Sequence, residues 1–338
     1  MILSLKNSAF YFRFGIFACA IWFLIDKDKS ILNLFYYALI ISFSILSIDS
    51  YAQFFYDNNL FGIARTEVDG RVPSMFGKEL ILGSYLSRFF PILFALFIIK
   101  EKKNKFEIYY IGILFIIIDI LIFISGERTA FFFLNLSTLF IILFIKKYQK
   151  FRLITFVIAL ILCTLLTLSN SSVKKRMISS PIESMGLSSK TDTKYLFTKS
   201  HDSKIKTALN MFLDKPLFGH GPKMFRVKCS DPRYATGYDP CSTHPHNFYI
   251  QLLAETGIIG FSFLFGLFCY VIFCSYKQFK SIIFNQKRYL SDYQVCLLAA
   301  ILITSWPFSP NGNFFTNWLA ITYSLPFGFY LQSVYKKK

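Results

Sequence analysis

All four histidines of the 338-residue chain, His201, His220, His244 and His246, fall within one stretch, residues 170–247. Two of them open "HPHNFYIQLLAETGIIG", where a polar segment runs straight into an apolar one. Histidine is the side chain whose ordinary pKa lies nearest neutrality, so it suits general-base work. An imidazole at such a junction needs a polar partner, and Asn247 or Glu255 is close enough in sequence to provide one. His201 reads as a solvated loop residue. His220, between Gly219 and Gly221, either shapes a tight turn or reaches a substrate.

Arginines supply the complementary chemistry. Arg128 lies in "SGERTA", which joins two apolar runs with almost no loop. A guanidinium forms paired bonds to phosphate, so an arginine held there can grip an anion; it can equally lie at an interface beside Glu127. Arg71 and Lys78, in "RVPSMFGKELILGSYL", are further cations of the same kind. No glycosidase-type carboxylate pair and no nucleotide-binding glycine loop is evident, which points to an anion handled without a nucleotide. Asp119 interrupts "ILFIIIDILIF". A carboxylate inside an apolar span is costly and faces the bundle interior, either bonded to Asn135 or a hydroxyl of the next helix or serving function. Of seven cysteines, Cys229 and Cys241 lie close together in the long polar segment and would form a disulfide in an oxidising compartment. Zinc on Cys241, His244 and His246 is the competing arrangement, but it lacks a ligand and the usual spacing; no metal and no cofactor enters the expected site.

The elements that must position these residues are apolar. The chain is 54% hydrophobic and 19% aromatic, with 42 phenylalanines, and its mean hydropathy is +0.47. The apolar residues come in runs long enough to cross a bilayer, at about 20 residues per span. Nine such runs are expected, near 9–25, 31–48, 80–99, 107–125, 129–145, 153–169, 248–275, 291–307 and 315–334. The fold class is therefore all-α, a polytopic transmembrane helix bundle with one long periplasmic loop containing short helices. Its expected parts are N-terminal transmembrane helices over 1–169 with an outer segment at 49–79, the large loop at 170–247, and C-terminal transmembrane helices over 248–338. Basic residues gather in alternate connections: Lys27 and Lys29; Lys100, Lys102, Lys103 and Lys105; Lys146, Lys147, Lys150 and Arg152; Lys277, Lys280, Lys287 and Arg288; and the terminal Lys336, Lys337 and Lys338. By the positive-inside rule these face the cytoplasm, which sets the long loop outside. Much of the net charge of +18 is thereby a topology signal, and no nucleic-acid partner is implied. Within the loop, Ser203–Phe225 reads as an amphipathic helix with Ile205, Leu209, Phe212 and Leu213 on one face, ending at Pro216.

Four pieces, in order, resemble the O-antigen ligase and O-antigen polymerase family over roughly residues 71–272. They are "RVPSMFGKELILGSYLSRFFPI", "SGERTAFFF", "ALNMFLDKPLFGHGPKMF" and "HPHNFYIQLLAETGIIGF". The resemblance implies a metal-independent glycosyltransferase in the bacterial inner membrane. Such an enzyme takes a glycan from undecaprenyl diphosphate at the periplasmic face and passes it to a glycan or lipid A–core acceptor in lipopolysaccharide or surface-polysaccharide synthesis. Carried over by residue, Arg71 and Arg128 would grip the donor pyrophosphate and His246 would act on the acceptor hydroxyl, with Asn247 and Glu255 in support and Lys78, His220 and His244 as further substrate contacts. Members of the family typically have more spans before the Arg-led segment; here two precede it. A transporter or flippase of lipid-linked sugars is the alternative class, for which internal repeats and mid-bilayer charges would be expected; no clear repeat is seen, and Asp119 is the one such charge.

Overall fold

The computed structural model describes residues 2–65, 70–187 and 194–335; the terminal Lys336, Lys337 and Lys338 lie outside them. Among the described residues the chain is helical and has no strand, with one isolated bridge between Asn58 and Ala64. Helices α1 (Ile2–Ala9), α2 (Arg13–Lys27) and α3 (Ser30–Tyr56) come first, then an irregular segment with a 3-10 turn at Ser74–Glu79. Next come α4 (Leu82–Ile99), α5 (Lys105–Ile124), α6 (Arg128–Phe144) and α7 (Gln149–Ser169) on short connections. Short elements follow: α8 (Ser171–Lys174), a π-helical turn (Lys175–Ser179), α9 (Ser180–Ser184), α10 (Lys199–Asp214) and α11 (Phe225–Lys228). The last three helices are α12 (Phe248–Ile283), α13 (Asp292–Thr304) and α14 (Asn317–Val334).

Each of the nine apolar runs falls on a helix. Five helices, α3, α4, α5, α7 and α12, are long and apolar enough to cross a membrane, and α6 and α13 are shorter apolar helices. The protein is thus an all-α, multi-pass membrane protein. Ile154, Val157, Ile158, Ile161 and Leu165 of α7 stand exposed, as side chains that meet lipid must.

The chain forms two compact units, and they cut across the three sequence segments. The first combines residues 1–21, 181–275 and 304–328; the second combines 22–180, 276–303 and 329–338. In the first unit the N-terminal residues pack with the last helix: Tyr11 stacks on Phe314, and Arg13 donates to Asn317 at 2.8 Å. There Phe248, Tyr249, Leu252, Leu264, Phe315, Leu319 and Tyr323 form one buried cluster. The helix expected over Ser203–Phe225 is α10, which stops at Asp214, before Pro216. Its protein-facing side is not its apolar one. Ser203, Lys204, Thr207, Ala208 and Met211 turn inward, while Leu213 stands exposed. Ala208 and Met211 pack with Phe225, Cys229, Tyr234 and Ala254, a contact that apolar spacing alone does not reveal. Cys229 and Cys241 are joined by a disulfide with Cα atoms 5.2 Å apart. Closing so short a loop contributes about 3 kcal/mol.

In the second unit α4 is buried along almost its whole length. Phe90, Phe94 and Phe97 meet Phe115 of α5 edge-on. Asp119 bonds neither to Asn135 nor directly to a hydroxyl. Arg152 grips it with both terminal nitrogens, at 2.7 and 3.1 Å, and also donates to Thr138 at 2.7 Å, while Asn135 donates to the Phe131 carbonyl. Arg152 is wholly buried over the Phe90 ring, 4.3 Å from its centroid. It therefore leaves the set of basic connection residues and serves as counter-ion to an intramembrane carboxylate. A partnered pair inside the bundle avoids the several-kcal/mol cost of either bare charge.

Candidate functional site

In the second unit the "SGER" turn is built around a glycine and a carboxylate. Gly126 has φ +74°, a conformation that glycine adopts without strain. The Glu127 carboxylate reaches across to the start of α4, where it accepts from the Gly83 and Ser84 amides at 2.6 and 3.0 Å and from the Ser84 hydroxyl at 2.7 Å. This is a helix cap supplied from another helix. Burial pushes the Glu127 carboxyl up, while its bonds to Ser84 and Gly83 and the charge of Arg71 pull it down. Glu127 is therefore committed to α4.

Arg128 begins α6, and its Nε donates to the Arg176 carbonyl at 3.1 Å; Arg176 Nε in turn donates to the Gly126 carbonyl at 3.1 Å. A Cβ placed on Gly126 would lie 3.1 Å from the Arg71 side chain and 3.4 Å from that of Arg176. Arg71, Arg128 and Arg176 thus gather on one turn. Arg71 is positioned by its neighbours. Arg65 holds the Gly70 carbonyl with two bonds, at 3.0 and 2.7 Å, Val72 is buried, and the Ser74 amide donates to Gln53 of α3 at 2.7 Å. Lys78 stands exposed on the 3-10 turn. Arg176, on the π-helical turn, carries no sequence signal of its own, because it lies in a loop with many other cations.

In the first unit three histidine rings adjoin. The His246 ring lies 4.2 Å from that of His244 and 5.0 Å from that of His201, centroid to centroid. His244 is fixed: its Nε2 donates to the Asn311 carbonyl at 3.0 Å, which leaves Nδ1 to accept from the Thr243 hydroxyl at 2.8 Å. The Asn311 amide then donates to the His246 carbonyl at 2.7 Å. The two histidines therefore clamp Asn311 between them. The clamp and the next residue hold His246 at φ +61°, a left-handed backbone that costs a non-glycine residue about 1 kcal/mol or more. Asn247 caps α12 by accepting from the Ile250 amide at 3.1 Å, and its side-chain nitrogen donates to the Pro307 carbonyl at 2.8 Å. No ring-nitrogen hydrogen bond of His246 is found among the described residues. Burial pushes its imidazole down to about 3, helped by His244, His201 and Lys204. Burial likewise takes His244 down to about 4. His246 is thus a neutral, half-buried imidazole with its nitrogens available.

His201, read from sequence as a solvated loop residue, sits instead at the start of α10 with its Nδ1 3.1 Å from the Thr198 hydroxyl. One turn on, Lys204 is buried and bonded to Ser200 and to Asp239. Both Lys204 and Asp239 act electrostatically on His246. The one sequence signal for this group is the clustering of histidines in one loop. "SPNGN" (Ser309–Asn313), which supplies Asn311, carries its own: a dense run of turn-forming residues between the last two apolar runs.

His220 and Glu255 serve the backbone. His220 Nε2 is 2.9 Å from the Met211 carbonyl and Nδ1 is 3.0 Å from the Lys228 ammonium. Glu255, fully buried, accepts from the Lys223 and Phe225 amides at 2.9 and 2.8 Å and from Gln251 at 3.0 Å. Two residues on, α12 breaks at Gly257 (φ +64°), and the groups freed there bond to the "PLFGHG" stretch. The Ile258 amide donates to the Pro216 carbonyl at 2.8 Å, and the Gly221 amide donates to the Glu255 carbonyl at 2.7 Å. A Cβ on Gly257 would fall 2.3 Å from the Leu217 carbonyl oxygen, and one on Gly219 would fall 2.4 Å from the Glu255 carbonyl carbon. Both glycines have positive φ and meet unyielding backbone. Gly219→Ala and Gly257→Ala should each lower stability by at least about 2 kcal/mol. Thermal unfolding of the purified protein checks this. Gly266→Ala, whose added methyl meets nothing within 4 Å, should leave the midpoint unchanged or raise it.

Among the described residues no three His, Cys, Asp or Glu side chains are grouped as metal donors. Residues 111–265, a little under half of the chain, match the family model described as O-antigen ligase. No curated protein and no solved structure matches the chain.

Proposed function

We propose, for a chain whose residues 111–265 match the O-antigen ligase family model, that it is a metal-independent glycosyltransferase of the bacterial inner membrane. Its donor is a glycan on undecaprenyl diphosphate, and its acceptor is a sugar hydroxyl presented at the periplasmic face. The acceptor oxygen forms a bond to the anomeric carbon while the bond from that carbon to the diphosphate oxygen breaks. The electron pair leaves on the diphosphate, and the acceptor proton passes to His246. Arg71 and Arg128 hold the diphosphate and offset the charge that grows on it, the role cationic groups play toward any phosphoryl leaving group. Asn247 and Glu255 hold the start of α12 and the loop on which His246 depends, and His244 fixes the backbone of its neighbour. The observation that carries the reading is His246 itself: a neutral imidazole, held on a strained backbone, with nitrogens that bond to no described residue.

The test is the surface-glycan profile of a deletion strain complemented with wild type or with His246→Ala. Accumulation of long chains unattached to core identifies a ligase. Core bearing a single repeat unit identifies a polymerase. An unchanged profile in the deletion strain overturns the transferase reading.

A further inference from the structure

The second unit holds a cavity of about 820 Å³ at the end of the bundle away from the arginine turn. Helix α4 connects the two ends. Its first residues are capped by Glu127, and its last, Leu96, Ile98 and Ile99, line the cavity. Eighteen helical residues span about 27 Å, close to the thickness of a bilayer's hydrocarbon core. The cavity therefore sits at the headgroup level of the leaflet opposite the arginines.

Its lining has three parts. Four ammonium groups come from three connections: Lys29, then Lys100 and Lys102, then Lys147. Against them stand two carboxylates, and Asp292 is already used, accepting from the Lys146 and Lys147 amides at 3.0 and 2.7 Å and from Arg288 at 2.6 Å. Lys100 is paired with Glu107 at 2.5 Å, whereas Lys29 and Lys102 make no ion pair among the described residues. The second part is apolar: Leu32 at the start of α3 and the end of α4 form a wall beside the lysines. The third is Tyr293, whose hydroxyl is shielded from water and has no hydrogen-bond partner among the described residues. A buried hydroxyl left without a partner costs about 1–3 kcal/mol, so it marks a place for an acceptor.

We propose that this cavity binds the phosphate diester headgroup of an anionic phospholipid. The lysines supply charge and the Tyr293 hydroxyl a donor, and the apolar wall takes the first methylenes of the acyl chains. A free phosphate has no use for that wall, and a zwitterionic headgroup has no use for the excess of cations. Basic pockets between membrane helices on the lysine-rich side have the chemistry for such lipids.

The full chain, purified in detergent, is titrated with phosphatidylglycerol and with phosphatidylcholine of equal chain length, and binding is read by native mass spectrometry. Phosphatidylglycerol should bind at least about tenfold more tightly, with affinity falling as salt rises. Lys102→Gln and Lys147→Gln should each weaken it about fivefold. Tyr293→Phe, which keeps the ring and removes only the donor, should weaken it about threefold. Equal binding of the two lipids overturns the proposal, as does unchanged affinity in Tyr293→Phe together with no salt dependence. If millimolar inorganic phosphate displaces the lipid, the site is one for free phosphate and the lipid assignment fails.

Discussion

His246→Ala should lower the rate of glycan transfer by about 10²–10⁴-fold, the usual worth of a positioned general base, with folding intact. The neighbouring rings do not offer a substitute. His244 has both nitrogens committed, to Asn311 and Thr243, and His201 is tied through Nδ1 to Thr198 at the start of α10. Initial rates with purified protein and a lipid-linked donor check the loss, and a normal rate sinks the assignment. The pH profile gives a second, independent reading. Burial holds His246 far below the ordinary histidine value, at about 3. The ring is therefore unprotonated and competent as a base down to about pH 6 and below, and the rate should stay flat between about pH 8 and about pH 6. Stability carries the opposite cost. The unfolded chain takes up protons on these histidines at their ordinary pKa, whereas the folded chain resists until much lower pH. Stability is thus full above about pH 6.5 and is lost as pH falls toward the folded values. His246→Ala should flatten that acid decline while abolishing transfer, a combination that a merely structural histidine would not produce.

The helices were legible because each is a long apolar run, and burial in lipid or in a bundle demands such runs whatever the neighbours are. "SGER" and "HPHN" were legible for a local reason: a turn between two spans needs its glycine, and a helix needs its cap. The remainder depends on groups that meet only after folding. Nothing near Glu127 in sequence shows that it caps α4, and nothing near Arg152 shows that it neutralises Asp119, thirty-three positions away. His201 looked solvated because its contact with His246 crosses the long loop. The face that α10 turns to the protein is hidden for a related reason: it carries Ala208, Met211 and an ion pair of Lys204 with Asp239, which do not register as apolar periodicity. Arg176 was hidden by its setting, one cation among several in a basic loop, until its bonds to the Gly126 turn set it apart.

Arg128→Ala should lower kcat by about 10²–10³-fold, the cost of losing one strong charge stabiliser at a reacting centre. Arg71→Ala should have a loss of similar size, since both side chains meet at the Gly126 turn. The physical ground is the leaving group. A diphosphate departs with its charge growing, and a fixed, preorganised guanidinium offsets that charge better than reorganising solvent does. Lysine is no substitute, because a point charge cannot form the paired bonds that a planar guanidinium offers to phosphate, so Arg128→Lys should recover little. Lys78→Ala supplies the contrast: exposed on its turn, that ammonium is screened, and its loss should change the rate by no more than about threefold. The double variant separates two meanings of a loss at Arg71 and Arg128. If the two side chains hold one anion together, Arg71→Ala in an Arg128→Ala background should cost much less than it does alone, because the anion's grip is already broken. Fully additive losses would mean that the two side chains act independently rather than on one anion, and losses confined to KM at unchanged kcat would mean that the arginines bind the donor without stabilising its departure. In that case the charge on the leaving diphosphate must be met by other residues, and the assignment of the Gly126 turn to the chemical step fails.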